Sequence, residues 1–205
     1  MGSLLIKNIH SLVTCNGEDR ILRSADVYCE DGFIRAIGRG IDSKADITVD
    51  GSHMLCYPGL VNTHHHLYQQ FSRNLPEVQG FELFDWLRYL YDIWKNIDEE
   101  LITLSSLTGM GELMKNGCTT CFDHHYVFPR DGGDLIAAQF EAAGLIGMRM
   151  HASRGSMDLS KKDGGLPPDS VVQTIDEIMK DSVRLIEKYL SLIHISEPTR
   201  LGMIS

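Results

Sequence analysis

The sequence predicts an α/β protein in which a small β-rich unit precedes a longer run of alternating strands and helices. Three observations carry this. Short alternating apolar runs with turn residues between them fill the first 57 residues. The pattern changes abruptly at Pro58-Gly59, after which short buried-type strands alternate with long helical periods. The chain is also long enough to bury a core, with 205 residues of which 43% are apolar.

In order, LLIKNI, SLVT, ADVYCEDGFIRAIG, ITVD and HMLCY read as strands of a small antiparallel sheet, with Asp31-Gly32 as the tight turn of a hairpin. LVNT, after Pro58-Gly59, is a short buried strand. A long segment from Leu67 to Asp98 follows, rich in aromatics that include Trp86 and Trp94. Insertions of that length usually cover or build a site. Trp86 and Trp94 stand at near-helical spacing with Leu87, Leu90 and Tyr91, which makes the stripe mostly lid core. A helix from about Asp98 comes next, with Leu101, Leu104, Leu107 and Leu113 on its buried stripe and Gly117 as its stop. CTTCFDHH reads as a strand, Asp134 to Ala143 as a helix ended by Gly144, and LIGMRMHAS as a strand. The last helix opens at Ser170, with Gln173 at capping-box spacing, and runs to about Tyr189.

Charge and cysteine content narrow the function. The formal charge of −9 is spread without a basic cluster, so nothing offers the positive surface that a nucleic acid or an anionic membrane requires. A small neutral substrate fits better. Five cysteines, an odd number, do not read as a disulfide framework and suggest a reducing cytoplasm. No secretory signal or membrane-length apolar run is visible. Cys118 and Cys121 form a CxxC whose members face opposite sides of a strand, and no second pair completes a structural zinc site, so they read as core.

The strongest chemical signal is PGLVNTHHHL, residues 58 to 67. Alternate side chains of an extended segment share a side, so His64 and His66 can present two imidazoles to one ion while His65 faces away. Two neutral imidazoles at a rigid strand end form half of a typical catalytic shell for zinc or iron. A histidine-rich loop without a ligand role is the plainer reading, and an affinity tag would sit at a terminus.

PGLVNTHHHLYQ resembles the first barrel strand of the amidohydrolase superfamily. LVNTHHHLYQQFSR, FDWLRYLYDIW, CTTCFDHHYVFP and GMRMHASRGSMDLSKKDGGLPPD together resemble the deaminase and chlorohydrolase branch, and within it the 8-oxoguanine deaminases and hydroxytriazine aminohydrolases. The resemblance runs from Leu4 to Tyr189. It implies a metal-dependent (β/α)₈ barrel with a small β-sandwich segment before it, divided as residues 1–57 and 58–189, the latter about half of a barrel. It also implies one Zn²⁺ or Fe²⁺ held by His64 and His66, a small heterocyclic substrate, and a homo-oligomer. The reaction implied is hydrolytic removal of an amino group from a purine-like ring such as 8-oxoguanine or guanine.

Gln69, three residues past His66, matches a ring-contacting glutamine of guanine-deaminase-like members; otherwise it is a polar loop residue. Arg154 matches a pocket arginine whose guanidinium offers paired donors to a ring carbonyl, or it serves in a surface ion pair. His124 stands at a strand end, to orient substrate or a ligand or to serve the core. No acid–base residue of the reaction is assigned within the sequence; the resemblance puts those groups, with the third histidine ligand, on later strands. A cyclic amidase of the dihydroorotase or hydantoinase kind shares the HxH strand, although the aromatic insertion favours the deaminase branch. An inert metal-binding fragment is the reading from another class. LSLIHISEPTR resembles translated sequencing-adaptor DNA, so residues 190–205 read as a non-native tail and His194 carries no functional weight.

Overall fold

The structure, a computed structural model, describes residues 2–190 and divides after Gly59 into two compact units. Residues 191–205, with most of the adaptor-like string and His194, lie outside the described residues.

The first unit is a five-stranded sheet. Strand β1 (Ser3–Val13) pairs antiparallel with β2 (Ile21–Glu30), which turns through Asp31 and Gly32 into β3 (Phe33–Gly38). Both turn residues have positive φ, 50° and 83°, as a two-residue hairpin of this hand requires. The sheet is mixed, because β4 (Ile47–Asp50) and β5 (Leu55–Cys56) run parallel to β1. LLIKNI and SLVT are one strand with a bulge at Asn8 (φ 58°), where the register shifts between Ile6 and Ile9. The buried Asp26 carboxylate stabilises that kink by accepting the Asn8 and Ile41 amides at 2.8 and 2.9 Å. Ile9, Leu12 and Val27 form the core beneath.

The second unit is a three-stranded parallel sheet of β6 (Leu60–Asn62), β7 (Cys118–His125) and β8 (Arg149–Arg154), in that spatial order. The long segment after β6 contains a 3₁₀ turn, Leu67–Ser72, then helix α1 (Leu83–Trp94). Trp94 is buried, edge-on to Tyr68, Trp86 and Tyr91, and its Nε1 donates to Ser72 Oγ at 3.0 Å. Helix α2 (Glu99–Lys115) begins at Asp98, which caps the Leu101 amide at 2.8 Å. Its buried stripe is Ile102, Ser105, Ser106, Gly109 and Met110, whereas Leu104 faces outward, about half exposed. The expected leucine stripe is therefore rotated: small residues let the 3₁₀ turn approach, and a Cβ on Gly109 would stand 2.7 Å from both Gln70 Nε2 and Leu67 Cδ2.

Helix α3 (Leu135–Ile146) runs through Gly144 and ends at Gly147, whose φ of 77° supplies the left-handed cap. Leu145 and Ile146 thus belong to the helix, and β8 begins only at Arg149. Helix α4 (Ile175–Tyr189) starts later than Ser170, because Asp169–Val171 makes a single 3₁₀ turn and Val172 is extended. Thr174 and Glu177 form the capping box; the Gln173 side chain is engaged by Arg154 instead. Two buried clusters fill this unit, one around Tyr68, Leu90, Trp94 and Ile102, the other around Leu67, Met110, Cys121 and Ala142. Cys121 is buried and Cys118 packs beside it, both as free thiols.

Candidate active site at the strand tips

The site residues gather where β6 and β7 end. Strand β6 ends at Asn62, and just beyond it the His64 and His66 rings stand edge to face with centroids 4.8 Å apart. The tip of β7 holds this segment by three hydrogen bonds. The His124 amide donates to the His65 carbonyl at 2.9 Å, the His66 ring Nδ1 contacts the His124 carbonyl at 2.7 Å, and the Leu67 amide donates to Asp123 Oδ1 at 2.6 Å. A carbonyl can only accept, so His66 Nδ1 carries the proton and Nε2 keeps its lone pair. That is the arrangement a metal-ligating histidine needs, with its second nitrogen anchored on a backbone carbonyl.

Aromatic rings enclose His66. Tyr126 meets it edge to face at 5.3 Å, His124 lies at 5.8 Å and Tyr68 at 6.1 Å. Gly155 permits the closeness, because a Cβ there would fall 2.5 Å from Tyr126 Cβ and 2.9 Å from His124 Cε1. Burial lowers the pKa of His66 and of His124, and neighbouring imidazoles lower both further, so the rings stay neutral. Burial pushes the Tyr68 and Tyr126 hydroxyls up, which keeps them protonated. Gln69, half-buried, directs its Nε2 to the Tyr68 hydroxyl at 3.3 Å, and His124 Nδ1 is bonded to Ser153 Oγ.

The structure therefore brings His64, His66, Gln69 and His124 into one neighbourhood. Arg154 is differently committed. Its guanidinium is buried, donates to Asp181 Oδ2 at 3.0 Å, the Gly155 carbonyl at 2.9 Å and Gln173 Oε1, and lies 4.2 Å over the Phe128 ring. Its ion pair is thus buried and not at the surface, and each of its three nitrogens makes a bond within the chain.

Sequence reasoning missed three groups. Asp123 is fully buried and accepts both the Leu67 amide and Gln139 Nε2, the latter at 2.7 Å; burial pushes its carboxyl up to about 6. His125 is fully buried with Nε2 donating to the Val127 carbonyl at 2.8 Å, and burial pulls its pKa down to about 3. Tyr126 is the third. The period-2 signal was present in a segment already read as a strand, since Cys121, Asp123 and His125 alternate along β7 onto the buried side, but nothing local says which polar side chain there meets a buried partner.

The donor set fits a divalent metal in part. His64 and His66 supply two imidazoles, and among the described residues no third His, Cys, Asp or Glu joins them in a group that could hold an ion.

A parallel sheet flanked by helices, with paired histidines at a strand tip, is an arrangement that metal-dependent hydrolases use. The sequence profile of the amidohydrolase family matches residues 55–200, and the chain belongs to that family. It is 36% identical to hydroxydechloroatrazine ethylaminohydrolase of Pseudomonas sp. (strain ADP) over 202 residues, 92% of this chain and 42% of that protein. It is 38% identical to 8-oxoguanine deaminase of Pseudomonas aeruginosa over 192 residues, with the same shares covered. The crystal structure of atrazine chlorohydrolase TrzN from Arthrobacter aurescens TC1, complexed with zinc, superposes with a TM-score of 0.85 at 29% identity, covering 92% of this chain and 44% of that one. The chain thus spans less than half the length of these relatives, and the match is to an N-terminal portion of an α/β amidohydrolase fold. No helix among the described residues is long and apolar enough to cross a membrane.

Proposed function

We propose that this chain supplies the first metal-binding element and part of the ring pocket of an aminohydrolase that removes an exocyclic amino group from a purine-like ring such as 8-oxoguanine or guanine. The observation that carries the reading is His66, whose Nδ1 is anchored on the His124 carbonyl so that Nε2 stays free beside His64. His64 and His66 would hold one divalent ion, zinc or iron, which when bound lowers the pKa of a water toward neutrality. Gln69 offers both an amide donor and a carbonyl acceptor to the edge of a ring. His124 orients that ring or the neighbouring ligand, and its own ring is held by Ser153. Tyr126, protonated and packed on His66 and His124, closes the pocket wall and limits water. Arg154 serves the reading indirectly, by fixing the segment after β8 that carries Gly155. The third histidine ligand and the proton-shuttling carboxylate belong, on this reading, to later strands, and the full-length protein is a homo-oligomer; a cytoplasmic setting suits the five free thiols.

A hydroxytriazine is the second substrate reading, favoured by the 36% identity to hydroxydechloroatrazine ethylaminohydrolase. Both readings are tested together. The 205-residue chain by itself is expected to give no turnover, so a full-length protein that joins these residues to the later strands is purified metal-free, reloaded with zinc or iron, and assayed for ammonia release from 8-oxoguanine, guanine and an aminated hydroxytriazine. Release from a purine above the metal-free blank, lost with the bound metal in His64→Ala/His66→Ala, is expected. Release from the triazine alone selects the second reading. Metal content and rate retained in the double variant overturn both, and no turnover on any ring leaves an inert metal-binding chain.

A further inference from the structure

We propose that Asp123, held by Gln139, is a positioning residue for the metal-binding histidine pair; the inference rests on the reading of His64 and His66 as ligands. The 3₁₀ turn Leu67–Ser72 begins immediately after His66, which occupies its N-cap position without any side-chain capping bond. An N-cap position normally carries Ser, Thr, Asp or Asn, whose side-chain oxygen takes one of the orphan amides of the first turn. Here that position carries an imidazole turned toward other work. The cap comes instead from a different strand: Asp123 Oδ1, on β7, accepts the Leu67 amide at 2.6 Å.

The second carboxylate oxygen is fixed from a third element. Gln139, on α3, is fully buried and donates Nε2 to Asp123 Oδ2 at 2.7 Å, while its own Oε1 finds no partner among the described residues. A buried carboxylate is costly unless held by such donors, and a plain core position would take an apolar residue at lower cost. Nor does the pair act on the sheet alone. Asp123 grips Leu67 while its chain neighbour His124 grips His65 and the His66 ring, so residues 65–67 are tied to the β7 tip at three consecutive positions. Loss of the Asp123 bond frees the residue that follows His66 and lets the His66 ring turn away from the His124 carbonyl.

The test uses Asp123→Ala, Asp123→Asn and Gln139→Leu in the full chain, with two readouts. Zinc affinity is measured by chelator competition, and the His66 tautomer by ring ¹⁵N shifts of the metal-free protein. Asp123→Ala is expected to weaken zinc binding about 10- to 100-fold, the range seen when partners of metal ligands are removed, and to give a mixed His66 tautomer. Asp123→Asn is expected to stay within a few-fold of wild type. Its Oδ1 still caps Leu67, and its amide can donate to the free Oε1 of a turned Gln139. Gln139→Leu is expected to fall between them, and decides against Asp123→Asn if Asp123→Ala does not fold.

Wild-type affinity and a pure Nδ1–H tautomer in both Asp123→Ala and Gln139→Leu overturn the proposal. So does an Asn variant as impaired as Ala, since charge and not capping would then be at stake. Absence of zinc uptake by the wild type sinks the ligand assignment, and the tautomer readout then still decides on Asp123.

Discussion

Side chains at the tip of β7 differ in what burial does to them, and the difference sets a measurable response to acid. His125 is neutral in the folded state with a pKa of about 3, below its ordinary value near 6.5. The unfolded chain takes up that proton first as pH falls, so the stability His125 contributes is complete above about 6.5 and is lost progressively toward 3. From pH 7 to pH 5 the loss is about 2 kcal/mol. Asp123, raised to about 6, pulls the other way in part of that window, because the folded state binds its proton more tightly than the unfolded one. Comparison with His125→Asn removes that opposing contribution. Urea denaturation at the two pH values should show the wild type losing about 2 kcal/mol more than the variant; parallel losses would mean that His125 is protonated without cost.

Residues with a local signal were readable directly. His64 and His66 follow from the period of two, whereas Gln69 was singled out only through the resemblance to a family. His125 and Asp123 were not, because a buried polar residue is recognised by its partners, and those lie on other elements.

Among the elements, β8 and α4 are joined by one buried guanidinium. Arg154 spans Asp181 and Gln173 and covers the Phe128 ring, with its side chain only 6% exposed. Arg154→Met is expected to lower stability by about 2–3 kcal/mol, below the cost of breaking a fully buried pair, because Asp181 keeps Arg184 at 2.7 Å. Thermal melting checks the loss, and substrate KM within a few-fold of wild type would separate this linking role from direct ring contact. A large rise in KM with unchanged melting would return Arg154 to the pocket. Element type was legible throughout: every expected strand and helix after Pro58 is present. Ends were less so. Gly144 and Gly147 are equivalent as letters, and only the chain's need for a left-handed residue before β8 selects Gly147. Likewise Ser170 and Thr174 are both good caps, and Arg154 removes Gln173 from competition.

At the scale of the molecule, the parallel sheet has β6 and β8 as its outer strands, and Leu60 and Val61 of β6 are each more than half exposed. Parallel strands are ordinarily covered on both faces, and an open apolar edge is a template for association. The 205-residue chain expressed by itself is therefore expected to self-associate, with sedimentation or scattering showing concentration-dependent growth. A monodisperse monomer at high concentration would show that this edge is already protected.

Order and period are local properties, so the sequence alone determined the leading β unit, the change of character at Pro58, the strand and helix order, and the histidine pair. Only the tertiary structure decided that β4 and β5 run parallel to β1, that Arg154 is spent on Asp181 and Gln173, and that Asp123 caps a turn 56 residues before it. Each of those depends on which distant groups meet in a buried space. There an unpaired polar atom is costly enough to fix its partner, and no local pattern of residues records that choice.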